Sequence, residues 1–116
     1  DFFNETMLEE LYAKIKGNNI EIVICNSKNF YTFKNNKIFY NKKYSFSDEQ
    51  IMILNKSFSS LNIEKDFFNL FIWWPWDKIF KKKFIENLGI EFQNLKSTND
   101  LFFICSAVIS SKKFYI

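Results

Sequence analysis

Residues 4 to 25 pass from a helical apolar period into an unbroken β-branched run, and that succession constrains the fold more than any other feature. Asn4 is a good helix N-cap, and Phe3 stands where it staples onto Leu8. Met7, Leu8, Leu11, Tyr12 and Ile15 share one face at helical spacing, and Gly17 supplies a stop. Ile20-Glu21-Ile22-Val23-Ile24-Cys25 is too short for a helix and reads as a largely buried strand. A helix, a Gly-Asn-Asn link and a buried strand make the second half of a βαβ unit. This predicts an α/β fold, a mixed sheet with flanking helices, whose opening strand is expected before residue 1.

The rest of the chain reads as short elements. Phe30 to Phe33 and Ile38 to Tyr40 flank Lys34-Asn35-Asn36-Lys37, a hairpin pattern in which the Asn pair tolerates positive φ. Ser47 and Gln50 form a capping box ahead of Ile51, Ile53 and Leu54, and a further short helix is predicted over Glu64 to Phe71. Pro75 blocks helix through Trp74, within an aromatic cluster of Phe71, Trp73, Trp74 and Trp76. Phe80, Phe84, Ile85 and Leu88 mark a short helix ended by Gly89, and Ile90-Glu91-Phe92 reads as a brief strand. Leu101 to Ile109 has strand composition, yet Leu101, Ile104, Cys105 and Val108 follow helical spacing. Ser97 or Thr98 is placed to cap, with Asp100 in the first turn, so the segment is predicted as helix. Phe114-Tyr115-Ile116 would close the sheet.

The chain's 116 residues suit a single domain, 1–116. It contains no His and no Arg, so all 16 basic residues are Lys, against 13 acids. That removes the commonest general base and metal ligand, and also the side chain that reads guanine and phosphate bidentately. With Lys interspersed among acids, no nucleic-acid partner is expected. Lys81-Lys82-Lys83 is the one dense basic run. It reads either as a solvated helix face or as a patch facing phosphates or an anionic membrane. Cys25 and Cys105 each sit in an apolar run and are expected as buried free thiols; with no His and no paired Cys spacing, zinc is not expected. The Asp-Phe-Phe opening lacks a basic start, so no secretory signal is expected, and the longest apolar run is half of what a membrane span needs.

Three passages, in order, resemble one family. The first is Asp1-Phe2-Phe3-Asn4-Glu5-Thr6-Met7-Leu8-Glu9-Glu10-Leu11-Tyr12. The second is Ile22-Val23-Ile24-Cys25-Asn26, with Glu21 where the family has Asp. The third is Trp76-Asp77-Lys78-Ile79-Phe80, continuing to Gly89-Ile90-Glu91-Phe92, and it is followed by Thr98-Asn99-Asp100-Leu101-Phe102-Phe103. Together they resemble the middle and C-terminal part of bacterial family 2 glycosyltransferases, of GT-A fold. The match starts just after the family's Asp-x-Asp motif. The resemblance implies transfer of a sugar, with inversion, from a nucleotide-diphosphate donor. The acceptor would be a glycan or lipid-linked molecule in capsule or lipopolysaccharide synthesis.

Asp100 matches the base that takes the acceptor's proton, with Asn99 beside it in place of the usual Glu. Trp76, Asp77 and Lys78 match the element that lines the acceptor side. Read on their own residues, Asp100 is equally a first-turn helix acid, and Trp76 a core residue with Asp77 and Lys78 paired locally. Trp73 and Trp74 read as core. The family's divalent metal, manganese or magnesium, is held through the Asp-x-Asp motif, so no metal ligand or cofactor-binding residue is assigned here. The resemblance implies a fragment without the nucleotide-binding half, inactive alone, from an enzyme located in the cytoplasm or peripherally at the inner membrane face. The competing expectation is a small non-catalytic protein-binding or inhibitor module.

Overall fold

The computed structural model describes residues 3–25, 29–32, 38–41 and 73–115. These form a small α/β structure with a three-stranded mixed sheet and helices. Helix α1 spans Met7–Asn18 and leads into β1, Ile22–Ile24. Strands β2, Asn29–Thr32, and β3, Ile38–Asn41, make the expected antiparallel hairpin, with Phe30 opposite Tyr40. Strand β4 is Lys78–Phe80, helix α2 Lys82–Leu88, helix α3 Leu101–Ser110 and strand β5 Phe114–Tyr115. The predictions at Asn35–Asn36, Ser47 and Gln50, and Glu64 to Phe71 lie outside the described residues.

Strand β1 is central, antiparallel to β4 and parallel to β5. All three of its residues are buried, because both faces are covered. Ile22 and Ile24 face α3 and pack with Phe103, Ile104, Ala107, Val108 and Phe114; Phe84 and Ile85 of α2 join the same cluster. Val23 faces the other way, against Leu11, with Met7, Ile15, Ile79 and Tyr115. The period of two in the strand thus puts helices on both sides of one sheet.

Local chemistry moves several boundaries. Helix α1 runs through Gly17 and ends at Asn19, whose φ of 52° is left-handed. Asn tolerates that region, and its side chain also accepts a bond from Lys81 Nζ at 2.8 Å. The buried stripe is Met7, Leu11 and Ile15, narrower than the spacing implied, since Leu8 and Tyr12 are exposed. Phe3 is exposed as well, so no staple closes on Leu8. Asn4 still serves the helix start: its side-chain oxygen accepts the Thr6 N–H at 3.1 Å.

Phe80 lies in β4, not in a helix. It pairs with Ile22 and meets Phe103 edge to face at 5.7 Å. Gly89 ends α2 at φ 61°. Ile90 to Phe92 is not a strand; Phe92 instead stacks on Phe103 at 4.3 Å. Helix α3 and the closing strand form as expected, although neither Ser97 nor Thr98 caps the helix. The first residue outside it is Asp100, whose side chain makes no cap bond.

Candidate functional site

The site begins with Pro75. The ring bars helix, and the Pro75 carbonyl accepts the Lys78 N–H at 3.2 Å in a tight turn. On either side of the proline, Trp74 and Trp76 stack with centroids 4.7 Å apart and planes 20° from parallel. They are 43% and 50% exposed, so the pair forms an aromatic surface rather than core. Trp73, half-buried, packs into the cluster under α3.

Two residues on, the chain joins the sheet. Cys25 donates its N–H to the Asp77 carbonyl at 2.8 Å, and Lys78 pairs with Ile24. This pairing turns charged side chains inward: Asp77 is 1% exposed and the Lys78 side chain 0%. Lys78 Nζ donates to Asp77 Oδ1 at 2.5 Å and to the Trp74 carbonyl at 2.8 Å. Asp77 Oδ2 is buried with no hydrogen-bond partner. The local pairing of Asp77 with Lys78 is therefore realised, while Trp76 stands at the surface.

Burial dominates the electrostatics here. It pushes the Asp77 carboxyl up and the Lys78 ammonium down, each partly opposed by the other's charge. The Cys25 thiol is pushed up by burial and then by Asp77. Burial also raises Cys105. Both cysteines are free, and both are half-buried rather than sealed. A buried ion pair recovers its desolvation penalty only with every lone pair satisfied, and Asp77 Oδ2 is not. What the pair does achieve is positional: Lys78 grips the carbonyl of Trp74 and so fixes the stacked tryptophans.

Asn99 and Asp100 lie on a separate segment, the turn that opens α3. Gln93 donates its N–H to the Asn99 carbonyl at 3.2 Å, and Ile104 donates to the Asp100 carbonyl at 2.9 Å. Asn99 is exposed and Asp100 half-buried, with its carboxylate not used for capping. The two segments share a base, since Trp73, Phe80 and Phe103 pack in one cluster.

One acid escaped notice as a structural centre. Glu21 Oε2 accepts the Ser111 hydroxyl at 3.1 Å and the N–H groups of Lys112 and Lys113 at 2.7 and 3.3 Å. Its backbone bonds Lys81 on one side and Lys113 on the other. The available signal was an acid directly ahead of a buried β-branched run, where a carboxylate needs partners.

Among the described residues no three Cys, Asp or Glu side chains gather to hold a metal ion, so these residues do not themselves supply a metal-binding set. Among them, too, no helix is long and apolar enough to cross a membrane. No protein-family model, curated protein or solved structure matches the chain.

Proposed function

We propose that this chain forms the acceptor side of a GT-A glycosyltransferase of family 2. The observation that carries the reading is the Trp76-Asp77-Lys78 segment: it presents a half-exposed tryptophan while its acid and lysine are locked beneath, where the chain enters β4, antiparallel to β1. The mixed sheet with flanking helices accords with the resemblance, as does a carboxylate at position 100 heading α3 without a capping role. In this reading the acceptor sugar lays its apolar ring face on Trp76. Asp77 and Lys78 hold that surface in place. Asp100 accepts the proton of the acceptor hydroxyl as its oxygen attacks the anomeric carbon and the nucleoside diphosphate leaves. The donor and its metal belong to residues that precede the matched region.

The test uses the whole enzyme. Asp100→Asn is expected to keep the circular dichroism spectrum and donor binding, and to slow sugar transfer by about 10²-fold or more. Unchanged turnover removes Asp100 from the mechanism. The 116-residue chain alone is expected to bind no UDP-sugar at micromolar concentration in calorimetry. A second reading, a non-catalytic protein-binding module, is favoured by the same stacked, half-exposed tryptophans. The coding frame upstream separates the two: an Asp-x-Asp after a strand and helix supports the transferase, an immediate start codon the module.

A further inference from the structure

Among the described residues, three have a left-handed backbone: Asn19, Gly89 and Thr98. Asn19 and Gly89 each end a helix, and both residue types tolerate that region. Thr98, at φ 55°, is the exception, because a β-branched side chain is crowded against its own backbone there. Its side chain is exposed, so burial does not impose the conformation. The loop around it does. Gln93 donates its N–H to the Asn99 carbonyl at 3.2 Å, and Leu95 donates to the Gln93 carbonyl at 2.9 Å. Phe92, at the loop's near end, is fixed on α3 by its stack with Phe103. The Thr98 hydroxyl donates to the Ser97 carbonyl at 2.7 Å, a local bond that offsets part of the crowding.

Two residues on, Asp100 shows a second departure from the local optimum. Asp is among the best helix N-caps, and a capping Asp has an extended backbone with its carboxylate turned onto the first N–H groups. Here the Asp100 backbone is already helical, at φ −85° and ψ −23°, and its carboxylate makes no cap bond. The two departures are linked. Leu101 donates its N–H to the Thr98 carbonyl at 3.2 Å, which closes a turn over Asn99 and Asp100 and sets Asp100 helical before α3 begins. Strain of this kind persists only where the surroundings over-determine it, and it gathers at functional sites.

We propose that the left-handed turn at Thr98 is a positioning device for the Asp100 carboxylate. It denies Asp100 the extended backbone of a capping residue and so keeps the carboxylate free for the acceptor hydroxyl. Thr98 itself touches no substrate and acts through Asp100. The inference rests on the transferase reading and adds to it the residue that aims the base.

The experiment compares Thr98→Pro, Thr98→Gly, Asp100→Asn and the Thr98→Pro, Asp100→Asn double variant in the whole enzyme. Proline fixes φ near −65°, so the left-handed turn cannot form. Thr98→Pro is expected to keep the circular dichroism spectrum and the donor KM while kcat falls by about 10- to 100-fold. Thr98→Gly, which reaches the left-handed region without crowding, should retain kcat. In the Asp100→Asn background, Thr98→Pro should cause no further loss, since a residue that acts through another is silent once that other is gone. Full kcat in Thr98→Pro overturns the proposal, as does a Thr98→Gly variant as slow as the proline one, or the same proline loss with Asp100 already replaced. A Thr98→Pro chain that no longer folds overturns it too, because the turn would then serve the fold and not the carboxylate. Full turnover in Asp100→Asn is the separate result that removes the transferase reading itself, and this inference with it.

Discussion

Two carboxylates sit at opposite ends of β1 in contrasting circumstances. Glu21, just before the strand, is half-buried and receives three donors from the turn between α3 and β5. Asp77, bonded through its carbonyl to Cys25 just after the strand, is sealed; one oxygen takes Lys78 and the other takes nothing. The first is a latch, in which backbone N–H groups that must be paired somewhere are paired well. The second works against stability, because it buries two charges with one lone-pair site unmet. A structural role accounts for Glu21 in full. It leaves Asp77 unexplained, and the stacked tryptophans held by Lys78 supply the reason to keep it.

The largest expected effect breaks the second cluster. Lys78→Met leaves the Asp77 carboxylate buried without its partner and should cost about 3–5 kcal/mol in chemical denaturation. Asp77→Leu combined with Lys78→Met should recover that loss, giving stability equal to the parent or above it by up to about 4 kcal/mol. If the double variant stays as unstable as the single one, the pair is a stabilising element and the contrast with Glu21 fails.

The first cluster should respond more mildly. Glu21→Ala removes the acceptor shared by the Ser111 hydroxyl and the N–H groups of Lys112 and Lys113, at a cost of about 2 kcal/mol. Here no compensating second substitution is expected to restore stability, because two of the three donors belong to the backbone. A loss as large as that of Lys78→Met would mean that Glu21, too, is electrostatically buried.

The difference between these clusters also explains what the sequence disclosed. Apolar periodicity revealed α1 and α3, since each answers to a core face that repeats at the helical period, and an unbroken β-branched run revealed β1, which is covered on both faces. It missed β4: Lys78-Ile79-Phe80 is only three residues long, and its first member is a charged side chain turned inward. Charged residues in sequence ordinarily mark solvent, so neither the burial of Asp77 and Lys78 nor the hub at Glu21 was legible before the strands were paired. Gly17 misled for a different reason. Glycine is the usual helix stop, but Asn19 took the left-handed position because its side chain also gained Lys81. The Trp-Asp-Lys segment was singled out by resemblance, and its division into an exposed ring above a sealed pair came only from the turn at Pro75.

The Asp77–Lys78 pair should also show itself in the pH dependence, with smaller amplitude. Burial raises the folded-state pKa of Asp77 above 3.8, so the folded state holds more protons in the window above that value. Stability then rises as the pH falls through that window. Burial lowers Lys78 below 10.5, so the folded state holds fewer protons in the window beneath that value, and stability rises as the pH climbs through it. Relative to the Asp77→Leu, Lys78→Met double variant, the parent should be weakest near neutrality and gain on both sides. A difference that is flat with pH would show that burial does not perturb the pair.

The smallest effect is the sharpest discriminator between a lysine that acts by its charge and one that acts by its backbone. Lys112→Ala keeps the N–H that Glu21 receives at 2.7 Å and removes only an exposed ammonium, so folding stability should change by less than about 0.5 kcal/mol. Lys112→Pro deletes that same N–H and should approach the loss seen for Glu21→Ala. If Lys112→Ala proved as damaging as the proline change, the ammonium itself would be part of the latch. The two ends of β1 would then be variants of one ion-pair device. If it is silent, the Lys112 side chain has no structural duty to the fold, and the latch is a matter of backbone alone.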